Sequence, residues 1–237
     1  MDGNGRWAQR RGYPRVYGHI RGSGRIKAIV READALGVRA LTLYAFSTEN
    51  WTRPEGELSV LWRLLKKFLL KEVAELEREN VRLHIIGEVE RLSPDVREVV
   101  ESARARLAGN TGLQLTFAVS YGSRRELVRA TQLFARDCVA GRRRADEMTE
   151  ALMGDYLWTA ALSRLDGLDN VDLVIRTSGE KRVSNFLLWQ AAYAEFSFTG
   201  VCWPDFTPEH LRGALREFGA RDRRFGGVNA PLQSVPT

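Results

Sequence analysis

Cysteine is scarce in this sequence, and long hydrophobic runs are absent from it. Two cysteines, Cys138 and Cys202, are too few for a disulfide framework and are not spaced like metal ligands. No apolar stretch approaches the roughly 20 residues that a membrane-spanning helix needs. The first twelve residues are polar and basic, unlike a secretory signal. We therefore expect a soluble, cytoplasmic protein whose surface can still contact the inner face of a membrane.

The composition is that of a globular chain. Hydrophobic residues make up 44% of the 237 positions and charged residues 28%, which excludes an intrinsically disordered chain. A chain of this length fits one large domain better than two, and such a domain buries roughly 70–75% of its unfolded surface. We place the domain at residues 1–227 and a flexible tail at 228–237.

Acidic residues are almost absent from the first 31 positions. Seven arginines and one lysine stand there against Asp2 alone, a net charge of +7, so the remaining residues sum to −1. A positive field confined to one end favours a polyanionic partner: a phosphate compound, a nucleic acid or an anionic lipid surface. Nucleic acid ranks low, because only Trp7, Tyr13 and Tyr17 interleave with the arginines as stacking platforms.

Helical and strand-like patterns alternate along the chain. Apolar residues at helical spacing cover 26–36, 57–80, 94–108, 123–140 and 208–218, and strand-like runs cover 40–46, 81–87, 113–120, 171–176 and 195–199. Strands separated by helices of about ten residues or more predict an α/β fold, a single domain with a mostly parallel central sheet flanked by helices on both faces. Ligand sites in such sheets lie past the carboxyl ends of the strands.

Four helix starts are predicted from local capping signals, and two of them are Ser93 before Pro94 and Thr207 before Pro208. Ser123 to Glu126 reads as a capping box that opens the helix 123–140. Ser184 is placed to cap a short helix that runs through Gln190.

The segment from Asp2 to Trp7 reads Asp-Gly-Asn-Gly-Arg-Trp and combines the features of an anion site. Two glycines around an asparagine let backbone N–H groups turn towards an anion, and Arg6 adds a charged donor. A carboxylate beside such a nest is favourable if magnesium bridges it to phosphate oxygens. Taken alone, the same letters also make a good turn, so a plain turn is the alternative.

Arg15 and His19 follow within one short stretch. Most single histidines are structural, but this one lies among arginines with no acidic neighbour in sequence. That setting lowers the pKa of His19 unless an anion is present, and it favours contact with a phosphate.

The segment 47–53 comes after a predicted strand, where catalytic groups are expected. Its alternative is an ordinary loop anchored in the core by Trp51.

Charged residues are densest between Arg176 and Asn185. Arg176, Arg182, Lys181 and Ser184 could together hold one diphosphate, with a solvated loop as the alternative.

Further along, Glu195 lies in the apolar context Ala-Ala-Tyr-Ala-Glu-Phe-Ser-Phe. A carboxylate buried there needs a partner, which a metal ion or an arginine would supply.

The motifs form a single pattern when they are taken in order. They are DGNGRWA at 2–8, GH at 18–19, LTLYAFSTENWTRP at 41–54, NVRLHIIG at 80–87, YG at 121–122, DLVIRTSGE at 172–180, SNFLLWQAAYAE at 184–195, WPDF at 203–206 and RRFGG at 223–227. In this combination the sequence resembles the cis-prenyltransferase family, and most of all its undecaprenyl diphosphate synthases. The resemblance spans nearly the whole chain.

The resemblance implies a role for each matching residue. Asp2 matches the catalytic, metal-linked aspartate, Asn50 a catalytic residue of a flexible loop, and Glu195 a second magnesium ligand. The acidic residue after the loop is Glu57. The residues that match substrate-binding positions are Gly3, Asn4, Gly5, Arg6, Trp7, Arg15, His19, Ser47, Glu49, Trp51, Arg53, Arg176, Arg182, Ser184, Arg224 and Gly226.

The resemblance also implies an activity. It is the magnesium-dependent condensation, in the cis configuration, of isopentenyl diphosphate onto an allylic diphosphate such as farnesyl diphosphate. An apolar tunnel would house the growing chain between the helix 57–80 and the strand 40–46. A bulky residue at the position of Ala45 shortens the product in the family, so the small side chain here favours the C55 lipid carrier of cell-wall synthesis. The family works as a homodimer, in which Arg224 and Gly226 reach the partner's site.

One departure from the family pattern bears on the fold. The family carries a hydrophobic strand just before the Asp-Gly-Asn-Gly motif, and here only Met1 precedes Asp2. We therefore expect the sheet to lack this strand, with unpaired backbone groups at the gap and Asp2 on a fraying end. Two alternatives remain for the function: a non-catalytic member that acts as a subunit or binds isoprenoids, and a synthase of shorter cis-prenyl diphosphates.

Overall fold

The computed structural model describes residues 1–165 and 167–221. The helices are α1 Asn4–Gln9, α2 Arg15–Ser23, α3 Ile26–Ala35, α4 Glu55–Arg78, α5 Pro94–Leu107, α6 Ser123–Val139, α7 Glu150–Tyr156, α8 Ala160–Ser163 and α9 Pro208–Gly219. The strands are β1 Ala40–Ser47, β2 Arg82–Ile86, β3 Gln114–Tyr121, β4 Leu173–Arg176 and β5 Glu195–Phe198. The predicted tail at 228–237 lies outside the described residues.

Every strand pair in the described residues is parallel, which confirms the predicted α/β fold. One sheet has the order β1-β3-β2, with Leu43 and Ile85 both opposite Phe117 of the central strand. A second sheet pairs β4 with β5, and Val174 lies opposite Phe196. Because parallel strands need long crossovers, helices separate β1, β2, β3 and β4 in sequence, whereas β4 and β5 are joined by the non-helical segment 177–194.

The two sheets meet across a cavity. All residues of β1 and all residues of β4 line it, and neither strand pairs with a further strand on that side within 1–165 and 167–221. β1 and β4 are therefore edge strands of their sheets in the described part of the chain.

The core is centred on β3, which is buried at every position, as expected for an inner strand. Phe117 packs with Leu69 of α4 and Val100 of α5 in one cluster of buried apolar side chains. Helix α4 is amphipathic because apolar residues recur along one face of its 24 residues. No helix in the described part of the chain is long and apolar enough to span a bilayer.

Ser93 and Thr207 are the N-caps of α5 and α9, as predicted, but the other two predicted caps are wrong. Gly122, not Ser123, is the N-cap of α6, and the Glu126 carboxylate accepts hydrogen bonds from the Tyr121 hydroxyl and from Trp158 N at 2.8 Å. This buried carboxylate therefore serves tertiary contacts rather than a cap. Residues 184–190 form no helix, because Ser184 and Asn185 have φ angles of 52° and 61°, in the left-handed region.

Candidate active site

Asp2 is held on both sides of its backbone, contrary to the expectation that it frays. Its N–H donates to the Thr177 hydroxyl at 2.9 Å, and its carbonyl accepts from Trp203 N at 2.9 Å. Gly3 follows with a φ of +91° and acts as the N-cap of α1, so the Asp-Gly-Asn-Gly letters begin a helix instead of forming a plain turn. A Cβ at Gly3 would lie 2.6 Å from Ser178 Cβ, which is why glycine is needed there.

The Asp2 carboxylate lies between two arginines. Arg176 Nη2 is 3.0 Å from Asp2 Oδ2, and Arg6 Nη2 is 3.5 Å from Oδ1. Burial alone would raise the pKa of Asp2, but hydrogen bonds from Arg176 and from Gly3 N, with the charge of Arg176, hold it below its ordinary value. Asp2 is therefore ionised and a third of its side chain is open to solvent, at 37% exposure.

Arg176 also organises the segment that follows β4. Its guanidinium donates to Ser184 Oγ at 2.8 Å and to the Arg182 carbonyl oxygen. Arg6 extends the cluster from α1, with its Nη1 atom 2.7 Å from Glu180 Oε1. The predicted arginine-rich segment thus meets Asp2 at the carboxyl end of β4.

A second cluster is gathered by Glu57, the first-turn carboxylate of α4. It is buried, with 8% of the residue exposed. It contacts His19 Nε2 at 3.1 Å, Arg53 Nη1 at 3.0 Å and Arg15 Nε at 3.4 Å. His19 therefore has the acidic neighbour that its sequence context lacks.

The pKa of His19 is lowered, as the sequence predicts, but mainly for another reason. Burial disfavours the charged ring, and the charges of Arg53 and Arg15 add to that effect, while Glu57 opposes it. Glu57 itself keeps a pKa below its ordinary value, because the charge of Arg53, the hydrogen bond with His19 and the charge of Arg15 outweigh its burial. His19 is thus a neutral hydrogen-bonding group beside two fixed cations.

The segment 47–53 forms a short 3₁₀ turn directly after β1. Ser47 N donates to Asn50 Oδ1 at 3.2 Å, so the Asn50 amide is turned back onto its own loop. Trp51 is anchored in the interior: its Nε1 donates to Ser120 Oγ at 2.9 Å, and its ring lies 5.2 Å from that of Phe46. The structure combines both interpretations of this segment, because an anchored tryptophan holds a loop from which Ser47, Glu49, Asn50 and Arg53 line the cavity.

One cavity of about 1100 Å³ connects these clusters. The predicted site residues that line it are Asp2, Gly3, Asn4, Gly5, Arg6, Arg15, His19, Ser47, Glu49, Asn50, Arg53, Arg176, Arg182 and Ser184. Apolar side chains of α4, such as Leu61, Leu65 and Phe68, line it farther along. Trp7 and Trp51 are not in the lining, and Arg224 and Gly226 lie outside the described residues.

Glu195 is not brought to Asp2 within this chain. It lies opposite Leu173, at the start of β4, whereas Asp2 contacts Arg176 at the other end, three residues or about 10 Å along the strand. Its carboxylate pairs with Arg221 at 2.9 Å, so an arginine supplies the partner that its context requires. Within residues 1–165 and 167–221, no group of three or more His, Cys, Asp or Glu side chains could hold a metal ion.

Sequence reasoning missed several residues that shape the site. Thr177 binds the Asp2 backbone, Glu180 pairs with Arg6, and Asn185 donates to Glu49. All three lie in the segment after β4, whose position past a strand end was the available signal. Their partners are far away in sequence, so spacing alone could not assign these contacts.

Comparison with known proteins agrees with this arrangement. A family model described as "Putative undecaprenyl diphosphate synthase" matches residues 1–226. The chain belongs to the cis-prenyltransferase family. It is 47% identical to an isoprenyl transferase of Geobacter sulfurreducens, over 99% of this chain and 93% of that protein. An isoprenyl transferase of Agrobacterium fabrum is 50% identical, over 96% of this chain and 90% of its own length.

Solved structures show the same fold. The lavandulyl diphosphate synthase of Lavandula x intermedia, in complex with dimethylallyl diphosphate, superposes with a TM-score of 0.91 and 34% identity, over 95% of each chain. A probable undecaprenyl diphosphate synthase of Campylobacter jejuni gives a TM-score of 0.73 and 32% identity, over 87% of this chain and 92% of that one. This cis-prenyltransferase is therefore an enzyme that transfers prenyl groups.

Proposed function

We propose that this cis-prenyltransferase condenses isopentenyl diphosphate, in the cis configuration and with magnesium, onto an allylic diphosphate. Farnesyl diphosphate is the proposed primer. The product is a polyprenyl diphosphate, proposed to be the C55 lipid carrier of cell-wall synthesis. The enzyme would act in the cytoplasm as a homodimer, with peripheral membrane contact for product release.

The observation that carries this proposal is the mixed lining of the cavity. Cationic groups from α1, α2, the 47–53 loop and the end of β4 line it, and so do apolar side chains of α4. Diphosphates are bound by arginine forks and exposed amides, and prenyl chains by apolar walls. One cavity with both kinds of lining fits substrates that carry a diphosphate at one end and a hydrocarbon at the other.

Two diphosphate subsites follow from the two cationic clusters. Arg15, His19 and Arg53, which Glu57 holds together, would take one diphosphate. Arg176 and Arg182, with Ser184, would take that of isopentenyl diphosphate. By resemblance, the allylic diphosphate belongs to the first subsite together with residues 2–6.

The donor set near Asp2 fits magnesium in part. Magnesium commonly uses one or two protein carboxylates and completes its shell with substrate phosphates and water. Asp2 provides one ionised, partly exposed carboxylate on the cavity wall, whereas Glu195 does not reach the same place within one chain. Asp2 would therefore hold the ion, which when bound supplies positive charge next to the leaving diphosphate.

The reaction breaks the C–O bond of the allylic diphosphate, forms a C–C bond to the double bond of isopentenyl diphosphate, and releases a proton. The electrons of the broken bond leave with the diphosphate, so negative charge grows there as the bond breaks. Arg6 and the neighbouring cations are placed to stabilise that charge. The 47–53 loop and Ser184 would hold isopentenyl diphosphate in line with the breaking bond.

Product length depends on the apolar part of the cavity. Ala45 of β1 lines it together with Leu65 and Phe68 of α4, so a small side chain leaves room for a long chain. The similarity to a lavandulyl diphosphate synthase keeps a shorter product as the second candidate.

A single assay tests the proposal. The purified chain is incubated with farnesyl diphosphate, labelled isopentenyl diphosphate and magnesium, and the extracted lipid is sized. We expect labelled polyprenyl diphosphate near C55, and a short ladder would favour the second candidate. No incorporation with farnesyl, geranyl or dimethylallyl diphosphate would overturn the enzymatic proposal.

A further inference from the structure

We propose that Asn185 is a positioning residue that fixes the 47–53 loop against the pocket for isopentenyl diphosphate, an inference that rests on the proposed function. Its amide nitrogen donates to Glu49 Oε1 at 3.0 Å, and its backbone neighbour is Ser184. The side chain therefore joins two walls of the cavity that are 136 residues apart in sequence.

The orientation of the Asn185 amide is fixed by its partners. Its Oδ1 accepts from Arg124 N at 2.9 Å, and a backbone N–H can only donate. The Nδ2 atom must then face Glu49, whose ionised carboxylate can only accept. No rotation of the amide satisfies both partners in another way, so Asn185 is specific for this pair.

The backbone of Asn185 is tied to the same place. Its carbonyl accepts from Ser123 N at 2.8 Å, at the start of α6. Its φ of 61° lies in the left-handed region, where asparagine, aspartate and glycine are tolerated best. The first turn of α6, held in the core by β3, is thus the fixed support on which Asn185 stands.

Gly122 shows how closely the three segments meet. A Cβ on Gly122 would lie 2.6 Å from Thr48 Oγ1 and 2.7 Å from Asn185 Nδ2. The end of β3, the 47–53 loop and the segment after β4 therefore converge within van der Waals distance.

This junction determines the geometry of the proposed pocket. Ser184 receives a hydrogen bond from Arg176 at 2.8 Å, and Glu49 and Asn50 line the cavity across from it. Loss of the bond from Asn185 to Glu49 would free the loop to move relative to Ser184. Binding of isopentenyl diphosphate would weaken, while Arg15 and His19 of the allylic subsite, which lie on α2 outside the loop, would keep their contacts with Glu57.

A reciprocal exchange of donor and acceptor tests the inference. Asn185→Asp keeps the backbone conformation and the acceptor for Arg124 N, but it faces Glu49 with a second carboxylate. We expect the KM for isopentenyl diphosphate to rise about tenfold to a hundredfold, the range for losing a hydrogen bond to a charged group, with the allylic KM changed less than threefold. In the double variant with Glu49→Gln, the amide at residue 49 donates to the carboxylate at residue 185, so the direction of the hydrogen bond is reversed. We expect the KM for isopentenyl diphosphate to fall at least tenfold from its value in Asn185→Asp.

The matched control is Asn80→Asp. Asn80 also has a left-handed backbone, with a φ of 55°, and its Oδ1 accepts from Thr111 N at 2.9 Å, but it does not line the cavity. We expect it to keep wild-type kinetics.

Asn185→Gly is the replacement variant if circular dichroism shows that Asn185→Asp does not fold. It removes the side chain at the same backbone conformation, and it is measured with and without Glu49→Gln. We expect Glu49→Gln not to rescue Asn185→Gly, because glycine has no side chain that could pair with residue 49.

The inference is overturned if the double variant is no better than Asn185→Asp, or if Asn185→Asp and Asn185→Gly leave the KM for isopentenyl diphosphate unchanged. Calorimetric binding of isopentenyl diphosphate is measured on the same variants and does not require turnover. A wild-type chain that binds but does not condense would defeat the proposed function, while the exchange would still decide the role of Asn185.

Discussion

Asp2 and Arg176 form an ion pair at 3.0 Å between residues that are 174 positions apart. The pair places the Asp2 carboxylate, which precedes α1, at the end of β4, where Arg176 also binds Ser184. Asp2 thus lies between Arg6 of α1 and Arg176 at the end of β4. The first prediction follows from this arrangement.

Replacing Asp2 should impair turnover more than substrate binding. With Asp2→Ala, we expect kcat to fall about a hundredfold or more while both KM values change less than tenfold, because charge on the leaving group grows mainly in the transition state. Steady-state kinetics with magnesium in excess measures this. Asp205→Asn is the control, since Asp205 is an exposed carboxylate that pairs with Arg11 at 3.1 Å. A kcat for Asp2→Ala near that of the wild type would contradict the role.

Acid should destabilise the protein through His19. The pKa of His19 in the folded chain is lowered by burial from its ordinary 6.5, so the unfolded chain binds more protons below that pH. The contribution of neutral His19 to the free energy of unfolding is therefore fully present above pH 6.5, and it is lost as the pH falls towards the pKa of His19 in the folded chain. The free energy of unfolding of His19→Gln, from urea titrations between pH 7 and pH 5, should fall less than that of the wild type.

A second histidine provides the comparison for that experiment. Burial also lowers the pKa of His84, whose Nε2 lies 2.9 Å from Gln114 Oε1. His84→Gln measures its share of the pH dependence, and the difference in slope between the wild type and His19→Gln measures the share of His19. Identical slopes for the wild type and His19→Gln would show that His19 does not titrate differently on folding.

A larger side chain at residue 45 should shorten the product. Ala45 lines the cavity on β1, so Ala45→Leu fills space that the growing chain would occupy. We expect the longest product to lose at least one five-carbon unit, read by chromatography of the extracted lipid. Ala105→Leu, on the exposed side of α5, adds the same volume away from the cavity and should leave the product unchanged. An unchanged product for Ala45→Leu would place the chain elsewhere.

The indole nitrogen of Trp51 should contribute to stability. Trp51→Phe keeps an aromatic ring near Trp62, whose ring lies 5.4 Å away, but removes the donor to Ser120 Oγ. We expect a loss of about 1 kcal/mol in the free energy of unfolding, the usual net value of one hydrogen bond. Trp189→Phe, at an exposed position, is the control for urea unfolding and should change stability much less. Equal losses in both variants would remove the special role of this bond.

Strand and helix positions were largely predictable because they depend on local periodicity. The predicted strand 40–46 is β1 Ala40–Ser47, and the predicted helix 57–80 is α4 Glu55–Arg78. The cap at Ser184 failed because the backbone there is left-handed, and the cap at Ser123 failed because the local signal competed with burial of Glu126. Glu126 follows Ser123 at capping-box spacing, yet its carboxylate is fully buried and bound to Tyr121 and Trp158.

The site was predictable residue by residue but not contact by contact. The sequence placed Asp2, His19 and Arg176 in the site, and each lines the cavity. It could not pair His19 with Glu57, or Asp2 with Arg176, because these pairs are 38 and 174 residues apart. It also placed Glu195 with Asp2, which the register of β5 against β4 keeps apart within one chain.

The sequence by itself determined the chemical inventory of this protein: arginines and glycines at its start, polar segments after its strands, and motifs that identify a cis-prenyltransferase. These features are local, since hydrophobic period, turn residues and motif letters are read within a few positions. Only the tertiary structure decided which charges face one another, which tryptophan is an anchor, and that Asn185 joins two walls of the cavity. Those outcomes depend on strand register and packing between distant segments, where a few ångströms separate a contact from none.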